Sequence, residues 1–175
     1  MAESGSTAAS SGEVGLNQGA KKTVLRHITY GLYGITAAHG GERGVFTANW
    51  LTQVSFEPPL VALSVEHASS TLPLIRASGR FAVCPLADGQ RDLAGALGRP
   101  KARAGDKFAA ADLAIHESAA GVPVLADALG YVVCDLRGEM EAGDSVVLLG
   151  EVVEAVVLHE GAPLEMRAAG FRHAG

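Results

Sequence analysis

Little in this 175-residue chain can carry covalent or metal chemistry. It has two cysteines, Cys84 and Cys134, each inside an apolar run, and they read as reduced core thiols rather than a disulfide framework. Six histidines lie scattered, and no Cys-x-x-Cys or His-Glu-x-x-His spacing occurs, so no metal site is expected. None of the 22 glycines forms a G-x-G-x-x-G turn, which argues against a Rossmann or P-loop phosphate cradle. No apolar stretch approaches the roughly 20 residues of a membrane span, and membrane association is not expected. With 14 basic against 19 acidic residues and a net charge of -5, the chain lacks the basic footprint of a nucleic-acid partner.

What is present is one domain's worth of apolar material, with 48% hydrophobic and 19% charged residues. Residues 1–22 hold Gly, Ser and Ala with almost no large apolar side chain and are read as a disordered tail, leaving residues 23–175 as the domain. The tail has no targeting pattern, and with reduced thiols this points to the cytoplasm. Residues 30–38, the turn GGERG and residues 45–56 read as a hairpin. Residues 60–65 and 80–86 read as strands, 69–77 as a short helix capped by Ser70, and 88–97 as a helix capped by Asp88. Residues 131–136 and 145–158 are Val-rich strands broken by a turn over 139–144. Consecutive strands with few helices suit a mainly β, antiparallel barrel, in which closure removes exposed edges.

The stretch GVFTANWLTQVSFEPPLVALSVEH, residues 44–67, sets a small polar run between two strand-like segments. Thr47, Ala48, Asn49 and Thr52 let a flat polar ring approach closely and offer both donors and acceptors. Pro58 and Pro59 end the first segment and start the next strand at Leu60. The loop RPKARAGDK, residues 99–107, gathers four cations, Arg99, Lys101, Arg103 and Lys107, in an otherwise acidic chain. They suit either a phosphate or dinucleotide contact or a plain solvated loop.

The order G-x-FTAN-x-LT-x-VS-x-x-PPLV, then FAV at 81–83, DKF at 106–108, VPVL at 122–125, Cys134, GD at 143–144 and GEV at 150–152 resembles the flavin reductase-like family. Through YGLY at 30–33 and TQV at 52–54, the chain is nearest in character to the flavin reductase modules of diflavin proteins and high-molecular-weight rubredoxins. The resemblance implies a Greek-key-like FMN-binding split β-barrel with a few short peripheral helices, assembled as a homodimer. It implies FMN as cofactor, with FAD as the open alternative, and NADH or NADPH as electron donor. Thr47, Ala48, Asn49, Leu51 and Thr52 then line the ring and ribityl chain, with Trp50 stacking on or bordering it, or serving as a core anchor. Ser64, His67, Ser70 and Thr71 fall where such proteins bind the flavin phosphate, while Glu66 suits ribityl hydroxyls or solvent. Many reductases of the family follow the Gly-Asp pair with a histidine associated with the nicotinamide nucleotide. Here that residue is Ser145, which with Lys107 marks the nicotinamide region. The implied function is NAD(P)H:flavin oxidoreduction with electrons passed onward, and no protein acid or base is demanded. The alternatives are an FMN-holding electron carrier serving a partner protein and a flavin-binding barrel without turnover.

Overall fold

The computed structural model describes residues 15–100, 103 and 105–171, in two units. The smaller unit contains helix α1 (Gln18–Leu25), started by Asn17, whose Oδ1 accepts from the Ala20 amide at 2.9 Å. No residue of α1 is buried, so this end of the stretch read as a tail is helical without a packed face.

The larger unit, Thr29–Phe171, is built on an antiparallel sheet of seven strands in the order β2-β1-β5-β8-β9-β4-β3. These are β1 (Tyr33–His39), β2 (Glu42–Ala48), β3 (Leu51–Ser55), β4 (Leu60–Glu66), β5 (Arg80–Pro85), β8 (Gly130–Ala142) and β9 (Ser145–Val157). A separate hairpin pairs β6 (Ile115–Glu117) with β7 (Pro123–Leu125). Helices α2 (Leu72–Ser78), α3 (Arg91–Leu97) and α4 (Lys107–Ala110) are short and peripheral. The long β8–β9 hairpin inserts between β5 and β4, which gives the strand order its Greek-key character. The two sheet edges, β2 and β3, are consecutive in sequence and joined by Asn49 and Trp50 alone. The sheet therefore curls until its edges meet, yet no ladder joins β2 to β3. The barrel is split rather than closed.

Alternation along the strands explains two apolar clusters. On β5, Phe81 and Val83 enter the barrel with Ile35, Leu63, Cys134 and Leu148. Ala82 and Cys84 turn the other way, onto a second cluster with Leu86, Leu97, Val124 and Leu164. Both faces of β5 are covered, which is why its sequence is an unbroken apolar run. Gly150 makes room for Phe81, because a Cβ there would lie 2.6 Å from the ring's Cζ. The outer cluster is sealed by the C-terminal segment, where the Leu32 amide donates to Leu164 O and the Leu164 amide to Leu86 O.

Several boundaries differ from the sequence reading for local reasons. The turn expected over 139–144 is only Gly143 and Asp144, since β8 and β9 pair without a break from Glu139↔Leu148 to Ala142↔Ser145. Helix α2 follows Thr71, and no side chain caps it; Ser69 Oγ instead accepts from the Thr71 amide. Helix α3 starts after Gln90, whose Oε1 accepts from the Ala87 amide at 2.8 Å, while Asp88 accepts only from Gly89. Glu57–Pro58 is cis.

Cys84 and Cys134 are free and buried, and burial pushes both thiols up to about 12. Native protein should leave both unmodified by a maleimide, and denatured protein should expose two. Rapid labelling of either thiol in the native state would show that the core opens.

Candidate functional site

Strand geometry sorts the candidate residues before any ligand is considered. Along β2, Gly44, Phe46 and Ala48 face the barrel interior and α2, whereas Arg43, Val45 and Thr47 face α3 and α4. On the outer row, the Thr47 hydroxyl donates to Ala94 O of α3 at 2.6 Å, and the Arg43 guanidinium lies 4.5 Å from the centre of the Phe108 ring. On the inner row, Gly44 is required by close approach. A Cβ at that position would sit 2.7 Å from Thr71 Oγ1 and 2.9 Å from its Cγ2.

The junction between the sheet edges follows. Ala48 is buried, and Asn49 Nδ2 donates to Met166 Sδ at 3.3 Å, a contact with the C-terminal segment. Trp50 keeps 36% of its surface exposed, and its carbonyl accepts from the Ser64 amide at 2.9 Å. Leu51 packs on the barrel interior, and the Thr52 hydroxyl, exposed, donates to Gln53 O.

Two further groups flank this junction. At the end of β4, His67 Nε2 lies 3.2 Å from Glu141 Oε2, and the His67 amide donates to Asp144 O. Glu66, exposed, pairs in register with Ser145. Ser145 is only 2% exposed, and its hydroxyl donates to Asp144 Oδ1 at 2.9 Å. The turn after β4, closed by the Ser69 amide on Glu66 O, leads to a small pocket of about 20 Å³, lined by Arg43, Ser70, Asp106, Lys107 and Phe108 among others. Ser70 is exposed there, whereas neighbouring Thr71 is 1% exposed against Gly44. Lys107 Nζ donates to Val45 O at 3.1 Å and to Leu97 O, the last residue of α3, at 2.6 Å. Burial lowers the Lys107 pKa from its ordinary value. Asp106 turns Oδ1 onto the Phe108 amide at 3.0 Å, capping α4.

The fold thus gathers Ser70, Thr71 and Lys107 about β2, while His67 and Ser145 meet at the β8–β9 turn. Of the basic loop, Arg99 and Arg103 are exposed, and Lys101 lies outside the described residues. Sequence reasoning missed Arg43 and Met166. Arg43 carried a usable signal, standing at period-two spacing from Val45 and Thr47 on one strand face. Met166 carried none, since only the fold brings it to Asn49.

The small polar junction at a barrel seam and the ordered motifs meet in one match: the flavin reductase like domain family covers residues 25–175. The chain belongs to the flavin reductase-like family. It is 34% identical over 142 residues to a high molecular weight rubredoxin of Moorella thermoacetica, spanning 80% of this chain and 61% of that one. It is 33% identical over 152 residues to the reductase component of a 4-nitrophenol 4-monooxygenase/4-nitrocatechol 2-monooxygenase of Rhodococcus opacus, spanning 87% and 78%. In structure it is similar to a nitrilotriacetate monooxygenase component B homologue from Mycobacterium thermoresistibile, with TM-score 0.76, 29% identity and coverage of 85% and 81%. Family membership makes this domain an oxidoreductase of the flavin reductase type.

Lys107 joins β2 to the end of α3 through two charge-assisted hydrogen bonds. Lys107→Met should therefore lower stability by about 1–3 kcal/mol in denaturant titration, since both carbonyls lose a cationic donor. An unchanged midpoint would show that the two elements hold together without it.

Proposed function

We propose that this chain holds FMN along the seam between β2 and β3, takes hydride for it from NADH or NADPH, and passes the electrons onward. The observation that carries the reading is the junction of residues 47–52, which links the two sheet edges where no ladder joins them. Small side chains and an exposed indole there border a surface that a flat ring can approach. FMN fits this chemistry: Thr47, Ala48, Asn49, Leu51 and Thr52 would line its ring and ribityl chain, with Trp50 at the border. Ser64, His67, Ser70 and Thr71 would serve its phosphate, with Ser70 the exposed hydroxyl among the last two.

When bound, the flavin supplies a ring that accepts two electrons. The chain's part is to orient that ring, cover one face and leave the other open to nicotinamide. It needs no acid or base of its own. Exposed apolar residues on and after the edge strand β3, Val54 at 51% and Phe56 at 88%, support pairing of two chains over this side as a homodimer. A Rhodococcus relative is named as a monooxygenase's reductase component, which supports an oxygenase as receiver of reduced flavin or its electrons. Among the described residues no helix is long and apolar enough to cross a membrane, and with two free cysteines we place the protein in the cytoplasm.

The test is an FMN titration of purified protein followed by addition of NADH or NADPH. We expect about one flavin per chain, quenched Trp50 fluorescence, bleaching of the flavin band by nucleotide, and a dimeric mass by light scattering. A protein that leaves both flavin and tryptophan spectra unchanged would overturn the reading. Ser145 offers the nucleotide little, being buried with its hydroxyl on Asp144. KM for the nucleotide should accordingly be high, and Ser145→Ala should leave it within about twofold. A tenfold rise on that substitution would place the serine in the nucleotide's hold.

A further inference from the structure

Among the described residues, the arginines of the central strands are neutralised by carboxylates. Arg80 Nε lies 2.7 Å from Asp135, Arg137 Nε lies 2.7 Å from Glu151, and from α2 Arg76 forms two bonds to Glu139. Arg43 is different. It makes no ion pair among the described residues, and its guanidinium rests on the face of Phe108, a ring only 6% exposed and so a fixed platform. The same pocket presents the Ser70 hydroxyl and the Lys107 ammonium, two of whose three protons are held by Val45 O and Leu97 O. The one carboxylate lining it, Asp106, has an oxygen engaged by the Phe108 amide. Two cations against one carboxylate leave the pocket net positive, in a chain whose net charge is -5.

A stacked guanidinium retains its in-plane N–H fork, which matches two oxygens of a phosphoryl group. Arg43 and Ser70, which both line the pocket, are exposed, so that fork is open to a phosphoryl group from solvent. We propose that Arg43, with Ser70, forms a phosphoryl-binding site on the outer face of β2, in which Arg43 is the specificity-determining cation. The proposal rests on the flavin reading only for the identity of its ligand. The phosphoryl group has two sources in that reading, the phosphate of FMN or the diphosphate of the nicotinamide nucleotide.

The experiment starts with flavin-free protein titrated with inorganic phosphate and followed by amide chemical shifts of Ser70, Gly105 and Lys107. Wild type should show saturable shifts at these amides, Arg43→Ala should abolish them, and Arg43→Lys should restore them in part. Amide shifts identical in wild type and Arg43→Ala, or no shifts at all, would overturn the proposal. Because this arm contains no flavin, failure of FMN binding in wild type would sink the flavin reading and leave the phosphate result standing. Two further arms identify the source. If the group is the flavin's own, Arg43→Ala should weaken FMN roughly tenfold and riboflavin hardly at all. If it belongs to the nicotinamide nucleotide, ADP should compete with phosphate, and Arg43→Ala should raise KM for NADH while FMN affinity holds. An Arg43→Ala protein that matches wild type with FMN, riboflavin and NADH would again count against the site.

Discussion

The brevity of one connection governs this domain. Seven strands laid flat would separate β2 from β3 by about 29 Å at roughly 4.8 Å per pairing, yet Asn49 and Trp50 alone lie between Ala48 and Leu51. Three Cα steps reach at most about 11 Å. The sheet has to roll up to satisfy that link, and the interior cluster of Ile35, Leu63, Phe81 and Leu148 is what the roll encloses. Because β3 pairs only with β4, and β2 only with β1, the rolled sheet keeps a seam with main-chain groups not committed to a ladder. The candidate cradle is the seam's own connection, so fold closure and site construction are one event.

Much of this was legible because it is local. Alternating or continuous apolar runs bounded by glycine and proline marked β1, β4 and β5 to within a few residues, as side-chain period and turn chemistry allow, whereas β2 begins inside the expected GGERG turn and the single segment read over 45–56 is parted at Asn49 and Trp50 into the end of β2 and all of β3. Ser70 and Asp88 have the chemistry of helix caps, but each stands too early in the chain: α2 starts after Thr71 and α3 after Gln90, and no side chain caps either helix. At the β8–β9 tip, Glu139, Met140 and Glu141 read as a polar turn, yet each has a partner on β9, and pairing overrides composition. The short β6–β7 hairpin was invisible for the opposite reason, being three residues per strand, too short to show a period.

For the candidate site, the residue types were legible and their grouping was not. Nothing in residues 44–71 says that the start of β2 will lie over Thr71, since the signal is the missing Cβ of Gly44 seen only against its neighbour. Lys107 read as one cation of a loop, and its function as a tie between Val45 and Leu97 depends on where α3 ends. Met166 reaches Asn49 because residues 162–166 bridge the ends of β1 and β5 through Leu32, Leu86 and Leu164.

Helix α3 is anchored to β2 at two points, by Thr47 on Ala94 O and by Lys107 on Leu97 O, and otherwise by the burial of Ala94 and Leu97. Both anchors arise from residues that flank the candidate site. Local opening of a seven-residue helix is therefore thermodynamically linked to occupancy of the strand beneath it. Any ligand that requires β2 in its native position draws free energy into the helix, and amide-exchange protection along α3 becomes a gauge of that occupancy.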